Sequence, residues 1–346
     1  MTHSGWSDFL TQQGLNLDAD AQQLSHQPAT LLMPLTDQAI ISLEGPDSEK
    51  FLQGQLSCDV DQLSPQLSLL GANCTPKGMV IGAFRLLQRE PGSILLRLPQ
   101  SVADAAIANL KKYSVFSKTE INRVDQQWVG LGLIGAEALL DKLQITAPSQ
   151  LNQQVHTAQL IVVRVAGDQP RFEIWCPIDQ AQGIWQQLAE SCTLASSKQW
   201  QAAEIDAGLV QLDPASVDSY IPQMLNLQAV DGISFNKGCY TGQEVVARLQ
   251  FRGKLKKLMY SASVSREDAQ SQPPVPGSTL FNSAGRSIGK VLSCVPQQKT
   301  ILLQAVINKT AADDGQLHLH SAEGAAVTIH PLPYPIDPEL FQRPER

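Results

Sequence analysis

The chain has 346 residues, enough at roughly 100–200 per domain for two or three domains with cores of their own. Hydrophobic residues make up 43% and charged residues 17%, a globular balance that argues against disorder. With 26 basic and 33 acidic residues the net charge is −7, which argues against a general nucleic-acid coat or a polybasic membrane binder, since both need excess cations.

Met1–Phe9 lacks a basic region followed by an apolar core, so it does not read as a secretory signal. No apolar run approaches the roughly 20 residues of a membrane helix, and a cytoplasmic chain with no membrane partner is expected. Residues 1–30, rich in Gln and Asp, read as a loosely held extension. Gln38–Glu44 then reads as a strand, with Asp47 capping a helix that holds Phe51 and Leu52. Two apolar runs, 67–74 and 79–87, flank Thr75-Pro-Lys-Gly78 and predict a β-hairpin.

A strand over 94–98 and a helix from Ser101 follow. Strands are predicted over 128–134, 160–165 and 171–176, and helices over 180–191 and 198–207, the last stopped by Gly208. Frequent hairpins favour an α+β architecture with antiparallel sheets over a doubly wound parallel sheet. After about residue 252 the runs 255–264, 287–295, 300–307, 317–320 and 325–330 read as short strands with little helix between them. They predict a separate all-β domain over 252–346, a barrel with a tail in which Pro331–Pro335 reads as a terminal strap rather than an SH3 ligand.

Six cysteines stand at 58, 74, 176, 192, 239 and 294 without any C-x-x-C pair. That spacing supports no zinc ribbon, thioredoxin motif or self-contained iron–sulfur cluster, and it is too sparse for a disulfide scaffold. No metal site is expected: His318 and His320 would share a strand face, but no third ligand stands near them.

The most informative stretch is Lys237-Gly-Cys239-Tyr240-Thr-Gly-Gln-Glu244. Thr241 and Glu244 have the spacing of a capping box, which predicts a helix just after Thr241. Cys239 would then lie just before a helix N-terminus and two residues from Lys237, and both settings favour a thiolate. The alternative is a buried, inert cysteine. Arg248, Arg252, Lys254, Lys256 and Lys257 follow as a basic cluster, readable as an anion site or as a solvated face.

The octapeptide 237–244 resembles the signature of the YgfZ family, folate-binding proteins related to the T-protein of the glycine cleavage system. The likeness extends to Asp47-Ser-Glu-Lys-Phe-Leu-Gln-Gly-Gln55, Leu110-Lys-Lys-Tyr-Ser-Val-Phe-Ser-Lys118, Gln199-Trp200, Ile221-Pro-Gln223, Asn226-Leu-Gln228 and Phe251-Arg-Gly253, covering roughly residues 31–335. It implies a T-protein-like region of two α+β lobes over 31–251, followed by the barrel, and a bound tetrahydrofolate or folate derivative. It also implies support for iron–sulfur enzymes as partners, among them a tRNA methylthiotransferase.

By the resemblance Trp200 is a folate contact, with an indole face for a pterin or aminobenzoyl ring. Core packing is the alternative, since Trp200, Ala203 and Ala207 share a helical face. A second family tryptophan falls at Gln38, leaving that wall absent or replaced. Asp206 matches an acidic position whose carboxylate would accept paired pterin N–H bonds. Tyr240 and Arg248 complete the candidate folate contacts, with Cys239 and Lys237 as the reactive pair. The T-protein's hairpin aspartates have no counterpart in Gly78–Phe84. A folate-binding factor is therefore preferred to the alternative, a tetrahydrofolate-dependent aminomethyltransferase. The chain's overall acidity speaks against direct tRNA binding through Arg248–Lys257.

Overall fold

The computed structural model describes residues 3–22, 30–157, 160–252 and 255–336. The chain forms two compact units from interleaved stretches: residues 1–52, 60–69 and 84–203 make the first, and residues 53–59, 70–83 and 204–346 the second.

In the first unit a six-stranded sheet runs Thr193–Leu194, Leu31–Pro34, Trp128–Ile134, Arg171–Pro177, Ile161–Val165 and Gln154–His156. It is antiparallel except where Leu31–Pro34 meets Thr193–Leu194. The period of two along a strand sorts its residues to two faces. Phe172, Ile174 and Cys176, with Val129, Leu131 and Leu133, pack against the helices His3–Gln12 and Ala181–Ala189.

The expected loose extension is corrected here. Trp6, Phe9 and Leu10 sit on one face of the first helix, and Trp6 lies edge-on to Trp185, 5.9 Å between centroids. Three apolar residues at helical spacing outweigh the polar composition around them.

The opposite sheet face carries Glu173, Trp175, Gly130 and Gly132. Apolar residues buried with Trp175 come also from Gln38–Glu44, Ser93–Pro99 and the later part of Val80–Glu90, three neighbouring strands. Gly130 and Gly132 sit opposite Trp175 and Glu173 in register. A Cβ on Gly130 would lie 2.6 Å from the Trp175 ring, and one on Gly132 2.8 Å from Cζ3 of Trp200. The two glycines thus make room for two indoles.

Glu173 is fully buried between Arg97, which donates to Oε1 through Nε and Nη2, and Arg85, whose Nε lies 3.6 Å away. Trp175 Nε1 donates to its other oxygen at 2.8 Å. Burial pushes this carboxyl up, yet the two guanidiniums and these hydrogen bonds outweigh it and hold Glu173 well below the usual carboxylate range.

The second unit holds a closed six-stranded barrel, ordered Lys257–Ser265, Thr300–Asn308, Ser287–Pro296, Thr279–Asn282, Leu317–Leu319 and Ala326–His330. Thr279–Asn282 is a strand the sequence pattern did not single out. The tail straps down as expected: Tyr334 donates its hydroxyl to the Gly208 carbonyl at 2.7 Å. The helix Gln243–Arg252 sends Leu249 into a small apolar cluster with Met79, Ile221 and Leu258. Among the described residues no helix is long and apolar enough to cross a membrane.

Candidate functional site

The Lys237–Gly242 loop and the segment 53–58 that holds it both belong to the second unit. Residues 53–58 run beside it, tied to the outgoing hairpin arm by an antiparallel bridge between Leu56 and Asn73. The Lys237 ammonium donates to the carbonyls of Gln53, Leu56 and Cys58 at 2.8, 2.8 and 2.7 Å, and lies 5.2 Å from the centre of the Tyr240 ring. An ammonium has three donors, and here all three are met. Thr241 N donates to Gly54 O at 3.1 Å, and Ser57 Oγ to Gly232 O at 2.6 Å.

Two glycines let the hairpin turn reach the loop. Gly78 and Gly242 have φ of +74° and +87°, and a Cβ on Gly242 would fall 2.6 Å from Thr75 O and 3.0 Å from Gly78 Cα. Only a residue without a side chain permits that crossing.

This geometry corrects two expectations. Lys237 is turned toward backbone carbonyls as a clamp rather than presented as a reactive group. The helix starts at Gln243, just after Thr241 as expected, but without the capping box: the Thr241 hydroxyl donates to Gln55 Oε1 at 3.2 Å. Gln55 competes successfully for the hydroxyl because the bridge to Asn73 already holds its segment alongside the loop.

Cys239 itself is exposed, and a Cβ on neighbouring Gly238 would meet open space. The other five cysteines are buried or half-buried. Burial pushes the thiols of Cys58, Cys74 and Cys176 up to about 12, and those of Cys192 and Cys294 to about 11. A buried neutral thiol is a poor nucleophile, so among the six Cys239 is the most open to a reagent or partner.

Tyr240, expected as a ligand contact, is buried under the Lys237 ammonium, and burial pushes its phenol up, helped by Cys74 and Cys58. Arg248, Lys256 and Lys257 are exposed, while Lys254 and the Arg252 side chain lie outside the described residues. Asp206 is exposed at the end of the helix Ser197–Asp206. Glu204, two residues earlier, is the buried carboxylate and accepts from Gln211 at 3.0 Å.

Trp200 and Gln38 belong to the first unit. Trp200 has no exposed surface; the Arg171 guanidinium lies 4.2 Å from its ring centre, and Gly132 abuts it from the facing strand. Of the two readings of Trp200, the structure has it packed in the core of its unit, against a cation and a strand. Gln38 is buried and donates to Asp37 Oδ2 at 2.6 Å, leaving its own Oε1 without a hydrogen-bond partner.

Asp37 escaped the sequence reading because an Asp before a strand looks like an ordinary turn residue. Its Oδ1 is covered and unpartnered. Desolvation raises its pKa, although bonds from Gln38 and Gln201 and the charge of Arg97 oppose that. Its adjacency to Gln38 was the available signal. Among the described residues no group of three His, Cys, Asp or Glu is placed to hold a metal ion.

No family model matches the sequence. The chain is 36% identical over 318 residues to the tRNA-modifying protein YgfZ of Sodalis glossinidius, covering 90% of this chain and 95% of that one. The chain belongs to the YgfZ family. The YgfZ proteins of Yersinia enterocolitica and Serratia proteamaculans are 36% and 35% identical, covering 90% and 91% of this chain and 94% and 95% of theirs. The chain also shares its fold with a solved structure, the glycine cleavage system aminomethyltransferase T from Bartonella henselae. The TM-score is 0.72 at 16% identity, over 95% of this chain and 96% of that one.

Proposed function

We propose that the chain is a folate-binding accessory factor that supports assembly or repair of iron–sulfur enzymes, including one that methylthiolates tRNA, with Cys239 as its reactive thiol. One observation carries the reading: Cys239 is the single exposed cysteine of six, on a loop clamped by Lys237 and two crossing glycines. A thiol on a fixed support can meet a partner's sulfur or cluster without first ordering its own loop. The curated relatives are named as tRNA-modifying proteins, and that role is carried to this chain here.

The residues present fit a folate in part. Asp37 Oδ1 and Gln38 Oε1 are covered oxygens lacking partners. A bare buried polar atom costs about 1–3 kcal/mol, and the amino and ring N–H groups of a pterin edge would satisfy both. Asp37 and Gln38 would therefore hold that edge, while Trp200 is closed to stacking in this conformation. When bound, a tetrahydrofolate would supply one-carbon or reducing chemistry. Aminomethyl transfer is disfavoured because residues 78–84 hold no carboxylate to manage the amine proton.

The test is complementation by Cys239→Ser and Cys239→Ala in cells lacking the native protein, with methylthiolated nucleosides measured in bulk tRNA. Both variants are expected to lose most of the modification while binding tetrahydrofolate like the parent. Full restoration by both would remove the thiol from the mechanism.

A further inference from the structure

The helix Ala103–Tyr113 ends in a turn that neither the thiol nor the folate reading uses. Phe116 is 99% exposed, Val115 74% and Tyr113 38%. Around them Lys111, Lys112 and Lys118 are all exposed, and residues 111–118 contain no acidic residue in a chain of net charge −7.

The turn is held from both sides. Lys118 N donates to Asp47 Oδ2 at 2.8 Å, Asp47 N to Lys118 O at 3.3 Å, and Ser117 N to Ser114 O at 2.9 Å. Ser48 and Thr119 join hydroxyls at 2.8 Å. The rings are thus displayed on an anchored support, which lowers the ordering cost of any partner they meet.

We propose that this tip is a docking surface for single-stranded RNA. Two aromatic side chains three residues apart, flanked by two ammonium groups before them and one after, offer stacking faces for bases with cations on either side for the phosphates of a single strand. Stacking tolerates any base, so this surface would supply contact and orientation rather than sequence readout. The charge is complementary: residues 111–118 carry +3 against a polyanion, offset in part by the Asp47 carboxylate at their base. This proposal is independent of Cys239 and of folate.

The experiment is fluorescence anisotropy of a labelled, unstructured twelve-nucleotide RNA and of an unmodified tRNA transcript, titrated with full-length protein at four salt concentrations. The parent is expected to bind both, with affinity falling steeply as salt rises. Phe116→Ala should weaken binding about tenfold with an unchanged salt slope. Replacing Lys111, Lys112 and Lys118 together by Gln should reduce the log–log salt slope by about 2. Replacing Lys256 and Lys257 by Gln should leave both quantities unchanged, and thermal melts should show all three variants folded. The proposal is overturned if the parent binds neither RNA, if Phe116→Ala binds as the parent does, or if the tip binds only anionic phospholipid vesicles or an acidic peptide.

Discussion

Trp200 and Phe116 both sit in stretches that resemble the family, yet they meet opposite fates. Trp200 is wholly buried, roofed by Arg171 and admitted to its strand only because residue 132 is glycine. Phe116 stands almost fully in water on a turn pinned by Asp47. A tryptophan is large enough to dominate either a core or a ligand site, so its presence alone leaves the choice to its neighbours. An exposed phenylalanine held in place has no role in the core of its unit. Burial marks which aromatic supports the fold, and exposure marks which one is left to bind.

The comparison breaks most readily at Trp200. Trp200→Ala should cost about 3–5 kcal/mol in urea denaturation, the range for emptying a core aromatic site. A variant that kept its stability but lost tetrahydrofolate binding would return Trp200 to the ligand. Close behind stands Glu173→Gln, which leaves Arg85 and Arg97 buried without their anion. A loss of about 3–5 kcal/mol is expected.

The same pair fixes a pH dependence. The folded Glu173 carboxyl lies below its ordinary value of 4.5, so its stabilising contribution is present above that pH and is lost as pH falls through about 2. Melting curves taken between those limits should therefore fall with pH in the parent, and less steeply in Glu173→Gln.

Lys237→Met keeps the length of the side chain but strips three carbonyls of their donor, for a loss of about 2–3 kcal/mol. Because the clamp positions the thiol's loop, alkylation of Cys239 by a bulky maleimide should also change rate in this variant. Unchanged stability would show that the loop is held without its cation. The smallest effect belongs to Phe116→Ala, within about 0.5 kcal/mol of the parent in denaturation, since no core contact is removed.

Much of the fold was legible because the deciding interactions are local. The strand Trp128–Ile134 follows directly from its apolar pattern, and the hairpin turn from Pro76 and Gly78. The barrel followed from short runs separated by turns, except Thr279–Asn282, four residues long and only partly buried. The first helix was obscured because residues 1–30 as a whole carry five Gln and three Asp, against the three apolar residues that hold the helix.

The site was harder, for a different reason. The carbonyls that capture Lys237 lie 179 to 184 residues earlier in the chain, and nothing local to Lys237 announces them. Proximity in sequence suggested that the ammonium served Cys239; geometry gave it to the backbone of a distant segment. Cys239 was singled out by motif, and its exposure is what sets it apart from the other five.

The interleaved construction of the second unit has a consequence for the order of synthesis. Residues 53–59 and 70–83 leave the ribosome early, yet the lysine that locks their carbonyls follows Cys58 by 179 residues. At about 5–20 residues per second, that wait is roughly 9–36 s. Until then the three carbonyls and two buried thiols, Cys58 and Cys74, lack their final surroundings. The nascent chain must therefore keep an unfinished, cysteine-bearing seam apart from other chains until Lys237 arrives, which makes the rate of translation through residues 59–237 a determinant of yield.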